Sequence, residues 1–244
     1  GANASTLQVN SSYIVNDGNS GLNYAVTTNS ASGSITQAAL SLSATTGIKV
    51  YDGNTSSTGT VAVSGLASGD FVSNSSQSFA NKNVLGTNAS TLQVNSGFTV
   101  NDGNNGGNYN VTTKSSTGTI TRLNSVTWIG GASGNWFDPA NWAGGAVPDL
   151  ANVANVVIPA GVNVSFDKSG ALSPVDTSGV VSLDSLGTQG SLTQANGALN
   201  IGSGGMLLAS YTQSGGTLSN AGTTTVTDFT QSGGSFTGTG AITV

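Results

Sequence analysis

A chain does chemistry through groups that move protons, attack carbon or hold metals, and this one is short of them. It has no His and no Cys, which removes imidazole bases, thiolate nucleophiles and the usual zinc ligands. Its acids are all Asp, and its bases are Lys49, Lys82, Lys114, Arg122 and Lys168. Activating a Ser or Thr without His needs a nearby Lys of lowered pKa, and five scattered bases provide no such pairing. Polysaccharide cleavage needs two facing carboxylates. Asp167, Lys168, Asp176, Asp184 and Asp228 sit in the C-terminal part, with no spacing that makes them converge. The expectation is a protein that is not an enzyme and uses no cofactor and no metal. A net charge of -5 also argues against nucleic acid, because phosphate binding needs clustered Lys and Arg.

Three sets of residues are candidates for binding or modification. The first is the Asp-Gly pairs Asp17-Gly18, Asp52-Gly53 and Asp102-Gly103. Calcium loops place several oxygen ligands at alternating positions, whereas Asn16-Asp17-Gly18-Asn19 brings one carboxylate. The favoured reading is a turn, since Asp and Gly tolerate positive φ. The second set is Trp128, Trp136 and Trp142, all inside TWIGGASGNWFDPANWAGGAVPD. They are candidates for stacking on sugar rings or for a cap that seals the end of a neighbouring core. Pro139 and Pro148 stiffen the segment and favour the cap. The third set is the Asn-X-Ser/Thr sequons at Asn3, Asn10, Asn54, Asn74, Asn88, Asn110 and Asn163, candidate glycosylation sites.

Composition and repetition indicate what positions these residues. Charged residues are 6% of the chain, against about 25% in average globular domains, so uncharged Ser, Thr, Asn and Gly must cover the surface. Without Glu, and with 36 Gly, long surface helices are disfavoured; Thr and Val favour strands and Gly, Asn and Asp favour turns. GANASTLQVNSSYIVNDGN from Gly1 returns as GTNASTLQVNSGFTVNDGN from Gly86 without gaps, through Ile35-Thr36 against Ile120-Thr121. Residues 38–123 therefore read as one full repeat, and residues 1–37 as the back half of another copy. An upstream front half is expected, since half a module leaves strand edges unpaired. Leu40 to Val50 reads as one strand closed by Tyr51-Asp52-Gly53, and Thr91–Val94 and Phe98–Val100 as half-buried strands. Short strands separated by such turns predict a small β-sandwich.

After the Trp-rich segment, 124–150, a shorter period begins. LTQANGALNIG starts at Leu192, YTQSGGTLSNA at Tyr211 and FTQSGGSFTGT at Phe229. A period near 20 predicts stacked coils of a parallel β-helix over 151–244, because no coil buries its own apolar face. Stacking would align Gln194, Gln213 and Gln231 as an amide ladder, and Leu192, Tyr211 and Phe229 as an apolar column. The expected fold class is all-β: tandem β-sandwich modules followed by a right-handed parallel β-helix.

Lys49-Val50-Tyr51-Asp52-Gly53-Asn54, Gly69-Asp70-Phe71-Val72, Phe79-Ala80-Asn81-Lys82-Asn83-Val84 and Gly107-Asn108-Tyr109 resemble the YDG repeat of large bacterial surface proteins. That resemblance covers 38–123, and residues 1–37 match its second half. The Trp-rich segment with its TQSGG coils is similar to the C-terminal region of filamentous-haemagglutinin-like exoproteins exported by two-partner secretion. The resemblance implies a secreted, outer-membrane-associated surface fibre that serves adhesion or biofilm cohesion. Its implied partners are a host or abiotic surface, matrix polysaccharide, copies of itself and an outer-membrane secretion partner, with no membrane insertion. A carbohydrate-binding module and a self-assembling extracellular fibre subunit are the alternatives.

Overall fold

The structure, a computed structural model, describes residues 3–160, 162–166, 180–187 and 190–244. Asp167, Lys168 and Asp176 lie outside them. The first part of the chain is short strands: β1 (Ser5–Leu7), β2 (Ala31–Gly33), β3 (Ala38–Ser43), β4 (Gly47–Val50), β5 (Ala62–Ser64), β6 (Phe71–Ser73), β7 (Gln77–Phe79), β8 (Ser90–Val94), β9 (Thr99–Asn101), β10 (Tyr109–Lys114) and β11 (Ser116–Thr121). They form sheets ordered β10-β3-β5 and β4-β11-β8-β7, and two ribbons, β6-β9 and β1-β2. Strands 3 to 7 come from the front of the repeat and strands 8 to 11 from the back, so both larger sheets and the β6-β9 ribbon interleave the two halves.

Alternation along each strand decides what is buried. In β8, Ser90 and Leu92 point inward and Thr91 and Gln93 outward, as a pleated strand with one covered face requires. One core gathers Leu40, Leu42, Val100 and Tyr109. Ala44, Tyr51, Phe79, Leu92 and Ile120 belong to a second core that continues into the rest of the chain. The single strand expected from Leu40 to Val50 is two strands in different sheets. Buried Gln77 supports the crossing, accepting from the Thr45 N–H at 2.7 Å and donating to the Thr45 carbonyl at 3.0 Å. Those backbone groups would otherwise be buried without partners.

The second part is one sheet of eleven strands. These are β12 (Leu123–Thr127), β13 (Ser133–Asn135), β14 (Val153–Val157), β15 (Asn163–Phe166), β16 (Val180–Gly187), β17 (Ser191–Gln194), β18 (Ala198–Gln213), β19 (Thr217–Asn220), β20 (Thr224–Gln231), β21 (Ser235–Thr237) and β22 (Ile242–Thr243). All its strand pairings are parallel. Its first layers step by 30 residues, with Leu123 beside Val153 and Ser133 beside Asn163. Its later layers follow the sequence period, with Leu192 beside Tyr211 and Tyr211 beside Phe229. The Trp-rich segment thus belongs to the same sheet as these later layers.

Identical residues stack in the later layers as the period requires. Gln194 lies beside Gln213, and Gln213 beside Gln231. The Gln231 amide donates to Gln213 Oε1 at 3.0 Å, while the Gln194 and Gln213 amides each donate to one turn carbonyl (Gly197, Gly216) and one carbonyl at the start of a strand (Thr217, Ser235). Tyr211 donates its hydroxyl to Gln194. Gln194 and Gln213 are fully buried, and their bonds remove the penalty that burial would impose. Two apolar columns run beside them, Leu192 on Tyr211 and Leu199 on Leu218, each residue at most 1% exposed.

Candidate functional site

The densest group of ionisable and hydrogen-bonding side chains lies where the first part of the chain meets the parallel sheet. Tyr51-Asp52-Gly53 follows β4, Lys82-Asn83-Val84 follows β7, and Val147 to Asn152 leads into β14. The Tyr51 hydroxyl donates to the Val147 carbonyl at 2.8 Å and lies 3.2 Å from Asp149 Oδ1. Lys82 Nζ meets Asp149 Oδ2 at 2.6 Å and Tyr51 Oη at 3.2 Å. Asn152 Nδ2 donates to Asp149 Oδ1 at 2.5 Å and to Asn83 Oδ1 at 3.0 Å. Its own Oδ1 accepts from the Val84 N–H at 2.8 Å.

All four central side chains are buried: Tyr51 1% exposed, Lys82 7%, Asp149 2% and Asn152 1%. Burial pushes the Tyr51 phenol well above its ordinary pKa, and the Asp149 charge adds to that, so the hydroxyl stays a donor. Gly53 completes the closure with φ +79°. A Cβ there would come within 2.4 Å of the Gly145 carbonyl oxygen, so backbone packs on backbone. Chemically, this is a closed polar latch: the Lys82 and Asp149 charges pair with each other, and the Tyr51 and Asn152 donors are taken up within the group. A second ion pair lies where the chain enters the parallel sheet, Arg122 Nη1 to Asp184 Oδ1 at 2.8 Å, with Nη2 donating to the Ser182 carbonyl at 2.9 Å.

The Trp residues lie beside the latch and share its core. Trp128, Trp136 and Trp142 are 3%, 0% and 1% exposed. Trp142 meets Trp128 and Trp136 edge to face at 5.2 and 5.0 Å, and Trp136 meets Phe166 at 5.2 Å. Each indole N–H donates to a backbone carbonyl, those of Gly131, Pro148 and Trp136 respectively. These ring faces touch protein and leave no open platform for a sugar.

The Asp-Gly turns are closed locally. Asp17 Oδ1 accepts from the N–H groups of Asn19 and Gly21, both at 2.8 Å, and Oδ2 accepts from Asn23 at 3.1 Å. Asp102 repeats this with Asn104, Gly106 and Asn108. Backbone donation, led by Gly21, holds the Asp17 carboxyl below its usual pKa. At Asp102 desolvation opposes the shift, but the three N–H groups outweigh it. Asp52 instead pairs with Lys49 at 2.6 Å and accepts from the Asn54 N–H. Among the described residues no three acidic side chains converge as a metal site. The sequon residues Asn3, Asn10, Asn54, Asn74, Asn88, Asn110 and Asn163 are all exposed. Asp184 is engaged by Arg122, and Asp228 is exposed.

Sequence reasoning misses the latch, because Tyr51, Lys82 and Asp149 are far apart along the chain. A usable signal is present all the same: in a chain with so few charges, a Lys between Asn81 and Asn83 and an Asp between Pro148 and Leu150 are conspicuous candidates for a joint.

Short interleaved strands docked onto an all-parallel stack define an all-β protein with internal repeats. Residues 36–118 match the family model described as the YDG domain, so this part of the chain is a YDG domain. Its Tyr51-Asp52-Gly53 is the strand end that enters the latch. No curated protein and no solved structure matches the chain.

Proposed function

We propose that the chain is a structural, adhesive segment of a secreted bacterial surface fibre, and that it works by length and stiffness. In this reading the YDG domain is a small β-sandwich, residues 38–123 are one repeat of a series, and the later layers are coils of a right-handed parallel β-helix. The observation that carries the reading is the continuous core. Tyr51, Phe79, Leu92, the three Trp residues and the column from Val153 to Leu218 belong to one buried cluster. Load passing between the YDG domain and the parallel sheet would therefore be carried by packed side chains and a buried ion pair.

Stacked ladders suit such a role, since each layer is held by its neighbours. The sparse surface charge suits contact with surfaces or matrix polysaccharide, and the resemblance to exported surface proteins supports a reading in which the segment is carried through the outer membrane. No described helix is long and apolar enough to cross a membrane. Displaying the segment on a non-adherent bacterium and measuring attachment to surfaces and to neighbouring cells tests the proposal. Attachment should rise, and pulling single molecules should give stiff extension without early separation of the two parts. No gain in attachment, or separation at negligible force, would defeat it.

A further inference from the structure

The latch holds more than an ion pair needs. It shuts an amine, a carboxylate and a primary amide together away from water, all three nine-tenths or more buried. Lys82 Nζ meets Asp149 Oδ2 at 2.6 Å, and Asn152 Nδ2 donates to Asp149 Oδ1 at 2.5 Å. One carboxylate therefore touches both a nucleophilic nitrogen and the nitrogen of an acyl group. The Asn152 carbonyl oxygen accepts from the Val84 N–H at 2.8 Å, a backbone donor aimed where negative charge would develop if that carbonyl were attacked. Tyr51 Oη accepts from Lys82 Nζ at 3.2 Å and donates to the Val147 carbonyl, so the amine is held against the carboxylate from a second side.

We infer that Lys82 and Asn152 join in an isopeptide bond, with Asp149 as the proton carrier. Lys82 first passes a proton to Asp149, which leaves a free amine and a carboxylic acid. The amine attacks Asn152 Cγ and forms the Nζ–Cγ bond, while the carbonyl electrons move onto Oδ1 beside the Val84 N–H. Asp149 gives its proton to Nδ2 and takes one from Nζ. The Cγ–Nδ2 bond breaks and ammonia leaves. Asp149 ends as the carboxylic acid, so no buried charge is stranded. The reaction is a transamidation and consumes no oxidant or reductant. Holding the reacting groups side by side supplies much of the acceleration that such a slow step needs.

Two comparisons within the chain sharpen the assignment. Joining Lys82 to Asp149 instead would expel water and need a second acid to protonate the departing oxygen. Among the described residues no other carboxyl group bonds into the latch. Lys49, Asp52 and Asn54 bring together the same three side-chain types in a different arrangement. Lys49 Nζ contacts Asn54 Oδ1 at 3.0 Å, and Asp52 meets the Asn54 backbone N–H instead of its amide nitrogen. The Asp52 side chain is also 44% exposed, so water competes there and no bond is expected. At the latch, the bond would tie the loop after β7 to the segment leading into β14, and the ion pair is the state before it forms. The inference holds whether or not the fibre reading is correct.

Intact-mass measurement of the purified, folded full chain tests this. The chain should weigh about 17 Da less than its sequence, the mass of one ammonia. Digestion should release a branched peptide in which Lys82 is joined to Asn152. Succinimide formation at Asn105-Gly106 or Asn196-Gly197 would lose the same mass, so the branched peptide and two variants decide. Lys82→Met and Asp149→Asn should each show the full sequence mass, with Trp fluorescence confirming that they fold. Should Asp149→Asn fail to fold, the branched peptide of the unsubstituted chain still decides. The full sequence mass for the folded unsubstituted chain, or a loss that persists in either variant, would overturn the inference. A loss of about 18 Da with Lys82 joined to Asp149 would overturn it equally.

Discussion

Replacing Lys82 with Met removes the cation of the latch and nothing else of comparable size. Its ammonium lies 2.6 Å from Asp149, with side-chain exposures of 8% and 2%, so the carboxylate cannot turn to water for a substitute. Breaking a buried pair by deleting one partner costs about 3–5 kcal/mol, because the remaining charge is stranded. Asp149 keeps its bonds to Tyr51 and Asn152, which places the expected loss at the lower end, about 3 kcal/mol. Removing both charges, as Lys82→Met with Asp149→Leu, should recover much of that loss, since apolar replacements of a buried pair are often neutral. Urea unfolding followed by Trp fluorescence is the assay. All three indoles lie between residues 128 and 142, in the core that abuts the latch. A loss below about 1 kcal/mol for the single change, the range of exposed pairs, would mean that water reaches the pair and that the two parts are not locked.

Other changes test other parts of the molecule. Trp136→Ala empties a fully buried site and strands the Pro148 carbonyl; a loss of about 3–5 kcal/mol is expected in the same urea assay, with any glycan affinity unchanged. Gln213→Leu preserves volume but leaves the Gly216 and Ser235 carbonyls and the Gln231 amide without their partner. About 1–3 kcal/mol should be lost, with amide exchange rising first in the layers on either side of residue 213. Asp102 titrates below an ordinary aspartate when folded, so the stability it lends is full above the unfolded pKa and is lost as pH falls through the depressed folded value. Asp102→Asn should flatten that acid limb, and a carboxyl titration by NMR at or above the ordinary value would contradict the turn geometry.

How legible the fold was depended on whether one residue type recurred at one spacing. The steps between Leu192, Tyr211 and Phe229 reappear as strand register, because a stack aligns like with like. The earlier layers step by 30 residues and bring Ser125 beside Asn155 and Val126 beside Val156. Nothing in those pairs stands out against a Val- and Asn-rich background, so that period was not legible. Leu40 to Val50 looks continuous because Ala44, Thr45 and Thr46 suit a strand. What divides it is Gln77, which lies 32 residues from Thr45. The Trp residues announce a boundary by clustering, but their edge-to-face packing is set by turns at Pro139–Asn141 and Ala143–Gly145 that composition does not encode.

The placement of the few charges gives the joint its meaning. Lys82 of the YDG domain pairs with Asp149, which leads into the parallel sheet, Arg122 pairs with Asp184 where the chain enters that sheet, and Lys49 pairs with Asp52 beside the latch. Repeated layers of Ser, Thr, Gln and Leu are nearly interchangeable, so a slip of one layer would change little in their packing. A one-residue slip turns every side chain to the other face, and register is strongly specified only where one face is buried and distinctive. At the joint, a shifted register would bury Lys82 against something other than Asp149, at the several kcal/mol that an unpaired interior charge costs. The ladders therefore supply most of the cohesion, and the buried Lys82–Asp149 pair selects the register in which the two parts meet.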